Sequence, residues 1–152
     1  MLKALRFAVL VSASLVLAGP LQAATPDQEK AFVDGYKKAF EAKDAAALKA
    51  LLYTKGADPM AVEFYGQMMT SDFAGTMTEI TLEALTPEDV KKAAAVMPGP
   101  TGGKFVLLPK AYKKLVVKVE TKDASGKSTM TNTSFVAEAD GKLVIATPSP
   151  AK

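Results

Sequence analysis

The chain has no cysteine, no histidine and no tryptophan, and each absence removes a class of chemistry. Without cysteine there is no disulfide, no thiolate nucleophile and no lipid attachment through a cysteine. Without histidine neither a Ser-His-Asp nor a Cys-His relay can be assembled, and imidazole metal sites are excluded. The only arginine is Arg6, so the body of the chain has no planar bidentate fork for phosphate or carboxylate. An enzyme built from this inventory would work with Asp, Glu, Lys and Tyr alone. No catalytic residue, no cofactor and no metal site are expected.

What is present begins with an address. Lys3 and Arg6 precede an apolar run from Phe7 to Val11, and small and apolar residues continue to Ala18. Gly19-Pro20 breaks the run ahead of Leu21-Gln22-Ala23. A charged start, an apolar centre and a small residue at the cut make Met1–Ala23 a secretory signal peptide. A transmembrane helix needs about 20 apolar residues, more than this core has, so no membrane span is expected. The protein is expected to act after export, in the periplasm or outside the cell. Of the 19 basic residues, Lys3 and Arg6 lie in the leader, which leaves 17 against 16 acidic ones. The body is near neutral and carries no nucleic-acid footprint. At roughly 129 residues it is one domain in size and buries about two-thirds of its unfolded surface.

Three helix starts share one device. Thr25-Pro26, Asp58-Pro59 and Thr86-Pro87 each set a capping side chain before a proline whose missing N–H costs nothing at that position. Helix one runs from about Pro26 to Ala42 with Phe32, Gly35, Tyr36, Ala39 and Phe40 on one face. Asp44 caps a short second helix carrying Leu48, Leu51 and Leu52. Helix three, from Pro59 to about Ser71, sets Val62, Tyr65, Met69 and Phe73 on a stripe that Phe64 and Met68 widen. Thr76 to Leu85 reads as a strand, and a short helix follows from Pro87 to Val96. Pro98-Gly99-Pro100-Thr101-Gly102-Gly103 reads as a loop; its spacing and the strand after Lys104 exclude a phosphate-binding loop. Strands follow over Lys104–Leu108, Lys113–Thr121, Ser128–Glu138 and Lys142–Thr147. Asp140-Gly141 is a tight-turn signal. Residues 24–147 form one domain, with a disordered tail at 148–152. Helices first and an antiparallel sheet after them make the fold class α+β.

The candidate ligand-binding residues are Tyr36, Phe40, Tyr65, Met69, Asn132 and Ser134. Methionine and aromatic side chains line adaptable apolar pockets. Asn132 and Ser134 would add two polar groups to that pocket if their face of the strand points at the helices; Thr131, Thr133, Phe135 and Ala137 occupy the opposite face. Lys114, Lys118 and Lys122 read as a solvated face of the sheet. Asn132-Thr133-Ser134 matches a glycosylation pattern, but inside a strand it is taken as coincidental.

Phe32-x3-Tyr36-x2-Ala39-Phe40-x3-Asp44-x3-Leu48-x2-Leu51 resembles the opening helices of the nuclear transport factor 2-like superfamily, and Asp140-Gly141-Lys142-Leu143-Val144-Ile145 is similar to its final hairpin. The resemblance implies a cystatin-like cone: helices on a strongly curved sheet of about four to five strands, with a pocket between them. Leu143 stands where family members usually carry an aromatic residue, and no acid–base pair carries over. The function expected is that of an exported non-catalytic protein that binds a small apolar molecule in its pocket, or a protein partner through the sheet. The resemblance also implies a homodimer built face to face through the sheet. The alternative is a cofactor-independent isomerase or hydrolase using a buried carboxylate, Asp72 or Glu79, with Tyr65.

Overall fold

Each of the four α-helices among the described residues begins on a side chain that accepts a backbone N–H. In the computed structural model, which describes residues 24–99 and 102–152, α1 (Pro26–Glu41) opens with a complete capping box: Thr25 Oγ1 accepts from the Gln28 N–H at 3.2 Å, and Gln28 Oε1 accepts from the Thr25 N–H at 2.8 Å. Asp44 caps α2 (Ala45–Lys49), Asp58 caps α3 (Pro59–Ser71), and Thr86 with Asp89 closes a second box on α4 (Pro87–Ala93). Each cap is worth about 1 kcal/mol. The leader expected at Met1–Ala23 lies outside the described residues, as do Pro100 and Thr101.

Two antiparallel sheets follow. β1 (Thr76–Ala84), β4 (Lys113–Asp123), β5 (Gly126–Ala139) and β6 (Lys142–Ile145) form a curved four-stranded sheet in the order β1-β4-β5-β6. β2 (Met97–Pro98), β3 (Lys104–Leu108) and β7 (Thr147–Pro150) form a three-stranded sheet in the order β2-β3-β7. The β5–β6 turn is the expected one: Asp140 and Gly141 both have positive φ, 52° and 74°, as a two-residue hairpin of this hand requires.

The core lies between α1, α2 and one face of the larger sheet. Phe32, Tyr36 and Phe40 from α1 and Leu48 from α2 meet Leu115, Val117 and Val119 of β4, Val136 of β5 and Ile145 of β6. Val62, Tyr65 and Met69 of α3, with Phe73 beyond it, pack on the edge of this cluster. The register pairs Leu115 with Ser134 and Val117 with Asn132. Asn132 and Ser134 therefore sit on the helix-facing side, and Thr131 and Thr133 on the other.

Three expectations need correction. The tail is not disordered: Thr147–Pro150 is a strand paired with β3, and the Thr147 and Ser149 side chains are buried. Ala151 donates to the Lys104 carbonyl, whereas the Pro148 carbonyl turns away to accept from the Asp58 N–H. The two prolines thus occupy the alternate positions whose missing N–H would point away from β3, where proline is tolerated. The Pro/Gly segment is not loop throughout, since Met97 and Pro98 pair with Phe105 and Lys104. Finally, Phe64 and Met68 do not widen the buried stripe of α3. They are 59% and 52% exposed.

Candidate functional site

The six candidate residues divide between two places. Tyr36 and Phe40 are buried in the helix–sheet core, and Met69 packs against it; the Phe40 and Phe73 rings meet edge to face at 5.5 Å. Asn132 and Ser134 are half-buried on the same side of β5. Asn132 does find a polar partner there, its side-chain N–H donating to the Asp72 carboxylate from the short 3-10 turn after α3. Burial, and next the Asp72 charge, push the Tyr36 hydroxyl up to about 12. Asp72 and Asn132 thus form a polar knot that ties the end of α3 to β5. The knot also engages the amide nitrogen that a glycan would need.

Four clefts open among the described residues that are not lined by Tyr36, Met69, Asn132 or Ser134. Beneath the helices, buried side chains of α1 and α2 pack against those of the larger sheet. Phe40 borders a small cleft of about 210 Å³ at the end of α1, with Phe73 and Met77. Tyr65 borders something larger.

An apolar cleft of about 480 Å³ opens between α3 and the three-stranded sheet. Met60, Ala61, Phe64 and Tyr65 form its α3 wall; Met97, Pro98, Gly99, Phe105 and Pro148 form the opposite one. Tyr65 and Phe64 stack edge to face at 6.4 Å, and Phe105 is held 8% exposed beneath the surface. Burial raises the Tyr65 hydroxyl, so that group is a neutral donor or acceptor at physiological pH. The one carboxylate on the rim, Asp58, spends an oxygen on the Ala61 N–H at 3.0 Å. Such a cleft excludes water from an apolar guest and offers few polar anchors.

Gly99 sets how close the end of β2 comes to Phe105 within one wall of the cleft. A Cβ there would fall 1.9 Å from Phe105 Cε2, so only glycine lets the β2 end lie against the ring. In the sequence the Pro98-Gly99 signal reads as a connector. Its role as a wall depends on the pairing of β2 with β3, which no local pattern announces.

Several other charged groups are engaged with each other. Glu79 pairs with Lys118 at 2.7 Å, and Lys114 reaches Asp89 at 3.0 Å and Glu83 at 3.5 Å. The Thr86 backbone and hydroxyl, and then Lys114, hold the Asp89 carboxyl down to about 2. Beside the start of α1, Glu29 accepts from Lys113 at 2.6 Å and from the Tyr112 hydroxyl at 3.3 Å. Two of the three sheet lysines are therefore ion-paired, not merely solvated. Among the described residues no cluster of acidic side chains is grouped as a metal site requires, and no helix is long and apolar enough to cross a membrane.

No protein-family model and no curated protein matches the chain. Among solved structures it is similar to a variant of Rv3472, a protein of unknown function from Mycobacterium tuberculosis, with 12% identity and a TM-score of 0.39 over 82% of this chain and 69% of that one. A likeness of that depth bears on neither family nor function.

Proposed function

We propose that this is an exported binding protein that takes a small apolar molecule into the cleft between α3 and the β2-β3-β7 sheet. The observation that carries the reading is the cleft itself: about 480 Å³, within the roughly 300–1,000 Å³ of small-molecule sites. Its rim keeps Met60 and Phe64 in water, at 61% and 59% exposure. A guest that covers those side chains gains about 0.8 kcal/mol for each of its buried methylenes. The leader pattern supports export. The order of helices and curved sheet supports a nuclear transport factor 2-like cone, with the binding cleft on the outside of α3. An isomerase or hydrolase would draw on Asp72, but that carboxylate faces Asn132 and Tyr36 and borders none of these clefts.

A homologous series of straight-chain alcohols tests the reading. Affinity should rise roughly two- to fourfold per added methylene, the upper figure holding for full burial, and level off once the cleft is filled. Phe64→Ala should weaken binding at least fivefold while leaving the melting temperature nearly unchanged, because the ring is largely exposed. Absence of binding across the series, or binding indifferent to Phe64, rejects the proposal. In that case the Met60-Phe64-Met68 stripe becomes a surface for a protein partner.

A further inference from the structure

We propose that the free edge of β5 pairs with the same edge of a second copy, joining two four-stranded sheets into one about a two-fold axis at Met130. The argument starts from the direction of the backbone groups. The Phe135 carbonyl accepts from Ala146 on the β6 side, and the Val136 carbonyl accepts from Tyr112 on the β4 side. Alternation along a strand then sends the N–H and C=O groups of Thr129, Thr131 and Thr133 toward the β6 side. β6 pairs only with Val136–Ala139. Among the described residues nothing pairs with the edge from Lys127 to Ser134.

Sheet edges invite pairing, and proteins ordinarily blunt them with prolines, charges, bulges or a covering segment. The other edges follow that rule. β1 has a register irregularity between Met77 and Glu79 and carries Glu79 and Glu83. The outer side of β6 is bonded to Leu51 and Tyr53, β2 contains Pro98, and β7 contains Pro148 and Pro150. The β5 stretch Ser128-Thr129-Met130-Thr131-Asn132-Thr133-Ser134 has no charge, no proline and no glycine, and threonine favours strands.

A second copy fits this edge in detail. An antiparallel two-fold at Met130 sets Thr129 opposite the other copy's Thr131 and Lys127 opposite its Thr133. All four are positions whose backbone groups point outward, so they form hydrogen-bonded pairs. Met130 faces its own counterpart as a non-hydrogen-bonded pair, the closer kind, and this would cover side chains now 52% exposed. The tip of the β4–β5 hairpin then ends opposite Ser134, just before β6 takes over the edge. No like charges meet, and the pairing closes on itself without leaving β5 open to a third copy. A face-to-face dimer would instead cover the Lys118–Glu79 and Lys114–Glu83 pairs, and desolvating ion pairs is costly.

Sedimentation equilibrium and amide hydrogen exchange test the proposal. The purified protein should be a dimer, with the Thr129, Thr131 and Thr133 amides protected and their protection lost on dilution. Met130→Glu and Met130→Lys each place like charges opposite one another and should weaken dimerisation at least tenfold, while an equal mixture of the two restores it as a heterodimer. If either variant loses its circular dichroism, Thr131→Pro removes one outward N–H without touching the β4 ladder and should give a folded monomer. A wild-type protein that stays monomeric through roughly the hundred-micromolar range, where interfaces with Kd near 1 μM are full, overturns the proposal. So does a dimer that Met130→Glu leaves intact, or one in which the three threonine amides exchange freely.

Discussion

Replacing Gly99 with alanine is the sharpest perturbation of the proposed cleft. The added methyl would lie 1.9 Å from Cε2 and 2.3 Å from Cδ2 of Phe105, well inside contact distance. The neighbour that must yield is a rigid ring, 8% exposed, on a strand paired on both sides. Overpacking of this kind costs about 1–3 kcal/mol. The loss of glycine's freedom in the unfolded chain works the other way, by about 0.4–1 kcal/mol. The steric cost is larger, so Gly99→Ala should destabilise by about 1–2 kcal/mol, or roughly 4–8 °C in melting temperature for a domain of this size. The ring has one roomy direction to move, into the cleft, so affinity for straight-chain alcohols should fall along with stability. Urea unfolding and an alcohol titration of the same preparation read both effects. A variant with unchanged stability and unchanged affinity would refute the close approach of β2 to Phe105 on which the cleft depends.

Met69→Ala should cost about 2 kcal/mol, the low end for methionine truncation because the side chain is only partly buried, and leave alcohol binding unchanged; calorimetry and titration check the pair of outcomes. Raising the pH should expose Tyr36: the unfolded hydroxyl ionises near 10 while the folded one holds its proton to about 12. Stability present below pH 10 is then lost by about 3 kcal/mol between 10 and 12, and the difference between wild type and Tyr36→Phe across that range isolates it. Asp89 acts at the other end. Its folded value near 2 lies below the ordinary 3.8, so its contribution is intact above pH 4 and lost as pH falls toward 2, and Asp89→Asn should flatten that limb of the acid unfolding curve.

Legibility in the sequence followed the range of the interactions. The starts at Pro26, Pro59 and Pro87, and the turn at Asp140-Gly141, are decided within four residues, and each lies where the sequence puts it. The inward face of α1 was equally plain, because Phe32, Tyr36 and Phe40 recur at helical spacing and are all buried. On α3 the same logic overreached. Phe64 and Met68 are as apolar as Tyr65 and Met69, and spacing does not say how wide a stripe the sheet can cover.

By itself the sequence determined the α+β class, the caps, the hairpin and the limits on chemistry set by missing histidine and cysteine and a single arginine, since these depend on residue type and near neighbours. Tertiary structure alone decided the rest. It placed Asn132 against Asp72, sixty residues away in the chain, and drew the Pro148–Pro150 tail into a sheet with β3. It packed α1 against the larger sheet and opened a cleft behind α3. Those outcomes turn on which strand finds which partner and on how much volume the side chains leave between layers, and both are properties of the whole chain.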